Sequence, residues 1–368
     1  MHPTGHDSGL TDHARRGPAV QSGVSSAAAA YQPQLDGIRA FAVLCVVAFH
    51  ARGSWFPGGY IGVDVFFVLS GFLITRILVR EYGRSGRIAL RSFYARRALR
   101  LFPALVVMCS VTAVVFWLAP TLPERSETLV GLLGAITYSS SWLIALGISD
   151  LGFAVPTWSL AVEEYFYLVW PLLLIVMLRA RRHFGLMAVG SALLGIGYML
   201  IAYCLLGWSV PRIHYAADTR AYQLLIGCAL AVVLPAMSKR VTAGWALLAT
   251  ILLMAFVLGA DRVPFDIYHS GGSVVIALLA ATVIAFAASS ESGRFIELLE
   301  RRPLVWVGQR SYGIYLWNLP IIAIFGFLGS GGFLSVGFKL LLSFFIPALS
   351  YRFVEQPFLR LKDRFHSG

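Results

Sequence analysis

Charged residues are scarce in this sequence, and acidic residues are fewer than basic ones. Asp, Glu, Lys and Arg make up 13% of the chain, with 18 acidic against 30 basic residues, whereas about 25% of a typical soluble domain is charged. Hydrophobic residues account for 58%, above the roughly 45–50% of soluble domains. This composition excludes an ordinary soluble domain and predicts a polytopic membrane protein.

The net charge of +12 is typical of membrane proteins whose cytoplasmic loops are rich in Lys and Arg. The sequence has no Lys-rich tract that would indicate nucleic-acid binding. Cysteine is also rare. Cys45, Cys109, Cys204 and Cys228 lie in apolar stretches without a CxxC spacing, which predicts small packed side chains. We therefore expect no nucleic-acid partner and no metal.

The two ends of the chain are expected to lie outside the membrane domain. Residues 1–34 are rich in Gly, Ser, Ala and Pro and contain no apolar run, which predicts a disordered cytoplasmic tail and not a signal peptide. Residues 359–368 are expected to form a short basic cytoplasmic tail. The membrane domain is accordingly placed at residues 35–358.

Apolar segments of the length needed to cross a bilayer, roughly 20 residues, recur along the domain. Ten of them lie near 35–52, 59–79, 101–118, 158–178, 185–206, 220–236, 242–259, 272–288, 304–327 and 334–354. The predicted fold class is an all-α polytopic integral membrane protein with about ten transmembrane helices.

The segment 129–146 is ambiguous because its centre, TYSSSW, is polar. If this segment does not span, the basic clusters at 179–182, 239–240, 301–302 and 360–364 fall on the same side as the cluster at 80–100. The positive-inside rule then makes that side cytoplasmic. We predict ten spans, both termini in the cytoplasm, and a re-entrant or interfacial segment at 129–146; eleven spans are the alternative.

Ionisable residues inside spans are energetically costly and mark functional sites by default. Counted at 1.5 Å per residue, seven polar residues from five spans fall at a similar level in the outer half of the membrane. They are His50, Asp64, Glu163, Glu164, Asp218, Arg220 and Asn318. This agreement predicts one polar site in which carboxylates orient His50 as a general base. A histidine that serves only in helix packing is the alternative.

Arginines stand out in the opposite, inner half. Arg39 precedes His50 by 11 residues, about three full turns, so the two side chains share a helix face. Arg97 and Arg100 are spaced i,i+3 just before the third span, and guanidinium groups suit the phosphate oxygens of a donor. The alternatives are that Arg39 snorkels to the interface and that the Arg97–Arg100 cluster contacts anionic lipid.

Six motifs resemble those of the membrane-bound acyltransferase-3 family, in the same order. They are LDGIRAFAVLCVVAFH, GGYIGVDVFFVLSGFLIT, FYARRALRLFPAL, TWSLAVEEYFYLVWP, SYGIYLWN and YRFVEQP, and they extend from about residue 34 to 358. The resemblance implies a cell-membrane enzyme that takes an acyl group, acetyl or a short relative such as succinyl, from cytoplasmic acyl-CoA. The acceptor is expected to be a hydroxyl of an envelope glycan or glycolipid at the outer face.

The motif matches, together with the predicted depths, assign roles to individual residues. The catalytic set is His50, which matches the family's proposed catalytic histidine, with Glu163, Glu164 and Asp64 as candidates to orient it. Arg39, Arg97 and Arg100 are expected to bind the donor, since they match the Arg–x10–His and RxxR motifs. Acceptor-side residues are expected to be Asp218, Arg220, Tyr312, Tyr315 and Asn318.

Two departures from the family pattern affect these expectations. Many members have His where this sequence has Asn318, which leaves hydrogen bonding but not proton transfer at that position. Many also carry a C-terminal SGNH hydrolase-like domain, which is not expected here, so that the membrane domain or another protein would handle the acceptor. Whether His50 is a base or a transient acyl carrier stays open.

Two other classes of protein are compatible with parts of the pattern. A transporter or flippase for an envelope lipid or glycan would also place charges near the membrane midplane, but we find no inverted repeats. The membrane-bound O-acyltransferase class would share the chemistry of a buried histidine but not these motifs.

Overall fold

The computed structural model describes residues 31–237, 240–327 and 333–361. The described residues are largely helical and none of them lies in a β-strand, which confirms the predicted all-α class. The predicted tails fall mostly at positions 1–30 and 362–368, outside the described residues.

The membrane domain consists of helices that we number in chain order. They are α1 (Pro33–Arg52), α2 (Gly62–Ser85), α3 (Leu90–Leu118), α4 (Arg125–Ile136), α5 (Ser140–Ala145), α6 (Thr157–Arg179), α7 (Phe184–Leu200), α8 (Val210–Tyr215), α9 (Ala217–Met237), α10 (Ala243–Gly259), α11 (Phe265–Ile267), α12 (Ser273–Ser289), α13 (Arg294–Leu299), α14 (Arg302–Gln309), α15 (Ser311–Phe327), α16 (Phe333–Ser350) and α17 (Gln356–Leu361).

Nine helical segments within the described ranges are long and apolar enough to cross a membrane, which confirms a multi-pass membrane protein. The predicted span 304–327 is instead divided into α14 and α15. The break falls at Arg310, whose guanidinium packs on the rings of Trp306 and Tyr351. The ambiguous segment forms α4 and α5, which at about 1.5 Å per residue are both too short for a hydrocarbon core of about 30 Å.

Close backbone contacts join the central helices. On α2 and α9, a Cβ added at Gly71 would meet the Leu224 carbonyl, and one added at Gly227 would meet the Val68 carbonyl. Without a hydrophobic effect between helices in lipid, such small residues permit the close packing that holds helices together.

The register of α1 and α2 determines which polar residues can meet. Gly59 lies against the Cys45 carbonyl and Gly62 against the Ala42 carbonyl, so the two helices are antiparallel. The start of α2 therefore lies eight residues, about 12 Å, before His50 on α1. We refer below to the two ends of the bundle as the Pro33 end and the Arg52 end, after the first and last residues of α1.

Helix α6 runs parallel to α2. Near its start the Trp158 ring packs on Phe67 with centroids 6.0 Å apart. Farther along, the Trp170 indole donates a hydrogen bond to the Thr75 hydroxyl over 2.9 Å. Residues that follow Trp158 on α6 consequently lie still farther from His50 than the start of α2.

Candidate active site

His50 and Asn318 form the polar contact at the Arg52 end of α1. His50 Nδ1 lies 2.7 Å from Asn318 Oδ1, and Asn318, on α15, is fully buried. The Asn318 amide nitrogen faces the hydroxyl of Ser343 on α16 at 3.4 Å. Three helices thus hold one imidazole ring in a fixed direction.

The amide orientation of Asn318 sets the protonation of the imidazole ring. Because Asn318 Nδ2 donates toward Ser343, Asn318 Oδ1 is the acceptor for His50 Nδ1–H. In the neutral ring the proton then resides on Nδ1, and Nε2 carries the free lone pair. This is the tautomer a general base requires.

Within the residues it describes, the structure does not bring the predicted carboxylates to His50. Asp64 lies just inside the start of α2, and Glu163 and Glu164 lie farther along the parallel helix α6. The antiparallel register of α2 places all three toward the Pro33 end, about 12 Å or more from His50 along the helix axes. The partner of His50 is Asn318, which we had predicted to line the acceptor side.

The predicted arginines do come together, around a polar cavity toward the Pro33 end. The cavity has a volume of about 140 Å³. Its lining includes side chains from α1, α2, α3, α6 and α15, among them Arg39, Ser70, Arg97, Arg100, Glu163, Tyr312 and Tyr315. Six of the predicted site residues thus share one space.

Arg97 is held by carboxylates and an aromatic ring. Its Nε donates to Glu164 over 2.8 Å, its Nη2 lies 3.8 Å from Glu163, and its guanidinium stacks on the Tyr167 ring at 3.0 Å. Helix α3 begins at Leu90 and not near 101, which places Arg97 two turns inside the helix, where α6 can reach it. Arg97 and the two glutamates therefore form one partly buried charge cluster.

The other two arginines differ in their partners. Arg39 donates to Asp36 over 2.7 Å, one turn earlier on α1. Arg100 lines the cavity and forms no ion pair within the described part of the chain. Arg100 is consequently the guanidinium most available to a phosphate.

Asp64 and Arg220 form a second buried cluster, separate from the cavity. Arg220 Nη2 donates to Asp64 Oδ1 over 2.5 Å, and Gln223 and Tyr268 donate to the same carboxylate over 2.8 and 2.7 Å. Asp64 is 0% and Arg220 3% exposed. A fully buried carboxylate that accepts from three donors within the bundle is typical of a structural pair.

Asp218 lies apart from both clusters. Although it is two residues from Arg220, its carboxylate accepts two hydrogen bonds from Arg212, over 2.7 and 2.5 Å, and one from Tyr198 over 2.8 Å. The Arg212 guanidinium also lies over the rings of Trp142 and Trp208. The residues predicted to form one polar site are thus divided among separate clusters.

Tyr312 and Tyr315, both on α15, line the cavity. The Tyr312 hydroxyl donates to the Leu101 carbonyl over 2.8 Å, and the Tyr315 hydroxyl donates to the Pro156 carbonyl over 2.9 Å and lies 2.7 Å from Ser159 Oγ. Tyr315 precedes Asn318 by one turn, about 4.5 Å along α15.

An apolar layer separates the cavity from His50. Val43 and Val46 follow Arg39 on the same face of α1 and pack with Val47, Ile314 and Tyr315 in one buried cluster. This packed layer lies between the arginine-lined cavity and His50.

Several of the predicted residues have partners that the sequence did not predict. Tyr167 lies three and four residues after the two glutamates, at the spacing of one helix face, so its role could have been found. Gln223 has the same relation to Arg220. Ser343 contacts Asn318 from another helix, and Tyr268 contacts Asp64 from 204 positions away. No local signal in the sequence identifies either residue. Among the described residues no group of three or more His, Cys, Asp or Glu is arranged to hold a metal.

Comparison with known proteins gives the family. The sequence profile of an acyltransferase domain family, Acyl_transf_3, matches residues 32–352. The chain belongs to the acyltransferase-3 family. The match covers both the arginine-lined cavity and the His50–Asn318 pair, so the candidate site lies inside the family's domain.

Relatives in the acyltransferase-3 family carry more specific names. The peptidoglycan O-acetyltransferase OatA of Listeria monocytogenes is 36% identical over 351 residues, covering 89% of this chain and 56% of the relative. The O-acetyltransferase OatA of Staphylococcus aureus is 33% identical over 353 residues, covering 89% and 57%. The chain thus spans little more than half the length of these relatives. No solved structure matches the chain.

Proposed function

We propose that this protein transfers an acetyl group from acetyl-CoA, bound at the Pro33 end of the bundle, to a hydroxyl of a cell-wall glycan at the Arg52 end. The observation that carries the proposal is the arrangement along α1. An arginine-lined cavity lies at one end of a helix face and a histidine with a free Nε2 lies at the other.

The donor assignment rests on Arg100 and Arg39. A CoA head group carries several phosphates, and guanidinium groups bind phosphate oxygens in a bidentate manner. Arg100 is free of ion pairs among the described residues, whereas Arg97 is engaged by Glu163 and Glu164. We assign Arg100 to the first phosphate contact and Arg39 to a second contact from the α1 wall of the cavity. Arg97 is assigned to holding α3 against α6.

The separation along α1 between the arginine-lined cavity and His50 suits a donor that carries its thioester at the end of a long arm. The phosphates stay at the cavity, and the narrow pantetheine arm passes the layer formed by Val43 and Val46 on its way to His50. A local opening of that layer is required, since Tyr315 lines the cavity and also packs in the buried cluster with Val43 and Val46. Apolar side chains there would keep ions out of the path while admitting an uncharged chain.

The reaction needs one base at the thioester carbon. His50 Nε2 takes the proton from the acceptor hydroxyl, and the hydroxyl oxygen attacks the thioester carbonyl. The carbon–sulfur bond breaks, and the CoA thiolate leaves and takes up the proton. The Asn318 carbonyl holds Nδ1–H and so keeps Nε2 directed at the reacting groups throughout.

The distribution of charge supports the proposed orientation, and the relatives support the proposed acceptor. The basic residues at 80–100 lie where α2 ends and α3 begins, which the positive-inside rule assigns to the cytoplasm. Acetyl-CoA is cytoplasmic and a cell-wall glycan lies outside, so the two ends match the two substrates. The name of the Listeria relative, a peptidoglycan O-acetyltransferase, supports a peptidoglycan hydroxyl as the acceptor.

The test is transfer by the purified full-length protein in proteoliposomes. Acetyl-CoA labelled in the acetyl group is enclosed, soluble peptidoglycan fragments are added outside, and label is followed in the glycan, water and protein fractions. We expect label on the glycan as an alkali-labile ester. Label released only as acetate would contradict a glycan acceptor. If acetyl-CoA stayed intact while the peptidoglycan fragments crossed the liposome membrane, the protein would instead be a transporter.

A further inference from the structure

A large apolar cavity lies on the side of α1 away from Arg39 and His50. Its volume is about 630 Å³. Helix α1 forms its floor, with α10 and α12 on one side, α16 on the other and α13 at the Pro33 end. Neither the donor cavity nor the His50 site includes its lining residues.

The floor is a stripe of half-buried residues on one face of α1. Phe41, Leu44, Ala48 and Ala51 follow at spacings of three and four, which brings them onto a single helix face. This face is roughly opposite the face shared by Arg39 and His50. The walls, which include Leu253, Val257, Ala280 and Leu340, are also apolar.

A cationic side chain, Arg52, lies at the opening of the cavity at the Arg52 end. Arg52 lines it and lies over the Trp55 ring at 4.3 Å, and Trp55 is 51% exposed. No ion pair of Arg52 occurs within the described ranges. An exposed tryptophan beside an arginine is typical of the level of lipid head groups.

We propose that this cavity binds one acyl chain of an anionic phospholipid, with the lipid phosphate on Arg52. From Gly37 to Arg52 the floor is about 22 Å long, enough for a chain that fills one leaflet, about 15 Å. A volume of about 630 Å³ spread along this length forms a narrow groove, which suits one acyl chain better than the helix of a partner protein, about 10–12 Å in diameter. The Arg52 guanidinium accounts for the charge of the head group.

Lipid in this cavity would support the face of α1 that lies behind His50. The proposal is independent of the transfer reaction, because none of its residues belongs to the donor cavity or to the His50–Asn318 pair. The lipid site can therefore be disproved while the proposed function holds, and the proposed function can be disproved while the lipid site holds.

The experiment uses the full-length protein in liposomes that contain phosphatidylglycerol with a diazirine on one acyl chain. After photolysis, labelled peptides are identified by mass spectrometry. We expect label concentrated on peptides that carry Leu44, Ala48 and Met254. Even labelling of all lipid-facing helices, including the exposed Leu172 and Leu194, would overturn the proposal.

Matched variants test the cavity and its mouth separately. Ala48→Phe, which fills the cavity, is expected to abolish the concentrated label, whereas Ala255→Phe on the exposed face of α10 leaves it unchanged. Thr250→Phe, from the opposite wall, serves the same purpose if Ala48→Phe does not fold. Labelling that survives both filling variants would overturn the acyl-chain site.

The head-group contact is measured by native mass spectrometry of retained phosphatidylglycerol. Arg52→Gln is expected to weaken retention about fivefold, and Arg262→Gln, an exposed arginine at the same end, should have no effect. Equal retention in Arg52→Gln and the parent would overturn the assignment of the phosphate. A dimer of the protein in place of lipid adducts would overturn the proposal as a whole.

Discussion

His50 on α1 and Asn318 on α15, 268 positions apart, are joined by a hydrogen bond of 2.7 Å that leaves His50 Nε2 as the free basic nitrogen. Asn318 lies on the helix that also supplies Tyr315 to the arginine-lined cavity. One helix therefore positions the proposed base and lines the proposed donor site.

Asn318→Leu should lower kcat about tenfold or more, because a buried hydrogen bond contributes on the order of 1.4 kcal/mol and the ring also loses its direction. The KM for acetyl-CoA should stay unchanged, since the donor binds elsewhere. Asn318→Asp, which retains an accepting oxygen, should keep more activity than Asn318→Leu, and Ser343→Ala should have a small effect. Steady-state kinetics check this, and equal losses in kcat for Asn318→Asp and Asn318→Leu would argue against positioning.

Arg100→Gln should raise the KM for acetyl-CoA by about 10–100-fold, the loss expected for one charge-assisted hydrogen bond. The wild-type KM should rise with added salt, and the variant's KM should depend less on salt. Arg91→Gln, an exposed arginine at the start of α3, is the control. An unchanged KM in Arg100→Gln would move the donor phosphates away from this cavity.

Arg97→Gln should act mainly on stability. Removing the cation leaves Glu163 and Glu164 without their partner in a partly buried site, which costs about 3 kcal/mol. Replacing Glu164 as well, in Arg97→Gln/Glu164→Gln, should restore much of the loss. Thermal unfolding in detergent measures both; a double variant no more stable than Arg97→Gln alone would contradict the cluster.

Asp64→Asn should destabilise the protein by about 3–5 kcal/mol, because it leaves the Arg220 charge buried without a counter-charge. Asp218→Asn, at the more exposed pair with Arg212, should cost less than about 1 kcal/mol. Unfolding temperatures of the two variants give the comparison. A folded Asp64→Asn protein of normal stability but without turnover would return Asp64 to the catalytic set.

The sequence predicted the fold class and the apolar spans well, because a membrane imposes length and composition on each helix separately. It also grouped Arg39, Arg97 and Arg100 correctly, through helical spacing and the family motifs. It failed on the carboxylates because depth was counted from predicted helix ends. The close contact of Gly62 with Ala42 places the start of α2 nearer the Pro33 end than that count assumed. The early start of α3 at Leu90 brings Arg97 to Glu164. Contacts between helices far apart in the sequence, such as His50 on α1 with Asn318 on α15, leave no periodic pattern in the sequence.

The central claim, that His50 is the base for acyl transfer, is tested most directly by His50→Ala with labelled acetyl-CoA and peptidoglycan fragments. We predict that turnover falls by about 10²–10⁴-fold, while the unfolding temperature and acetyl-CoA binding stay as in the parent and in the control His183→Ala. Transfer by His50→Ala at a rate near that of the parent protein would contradict the account.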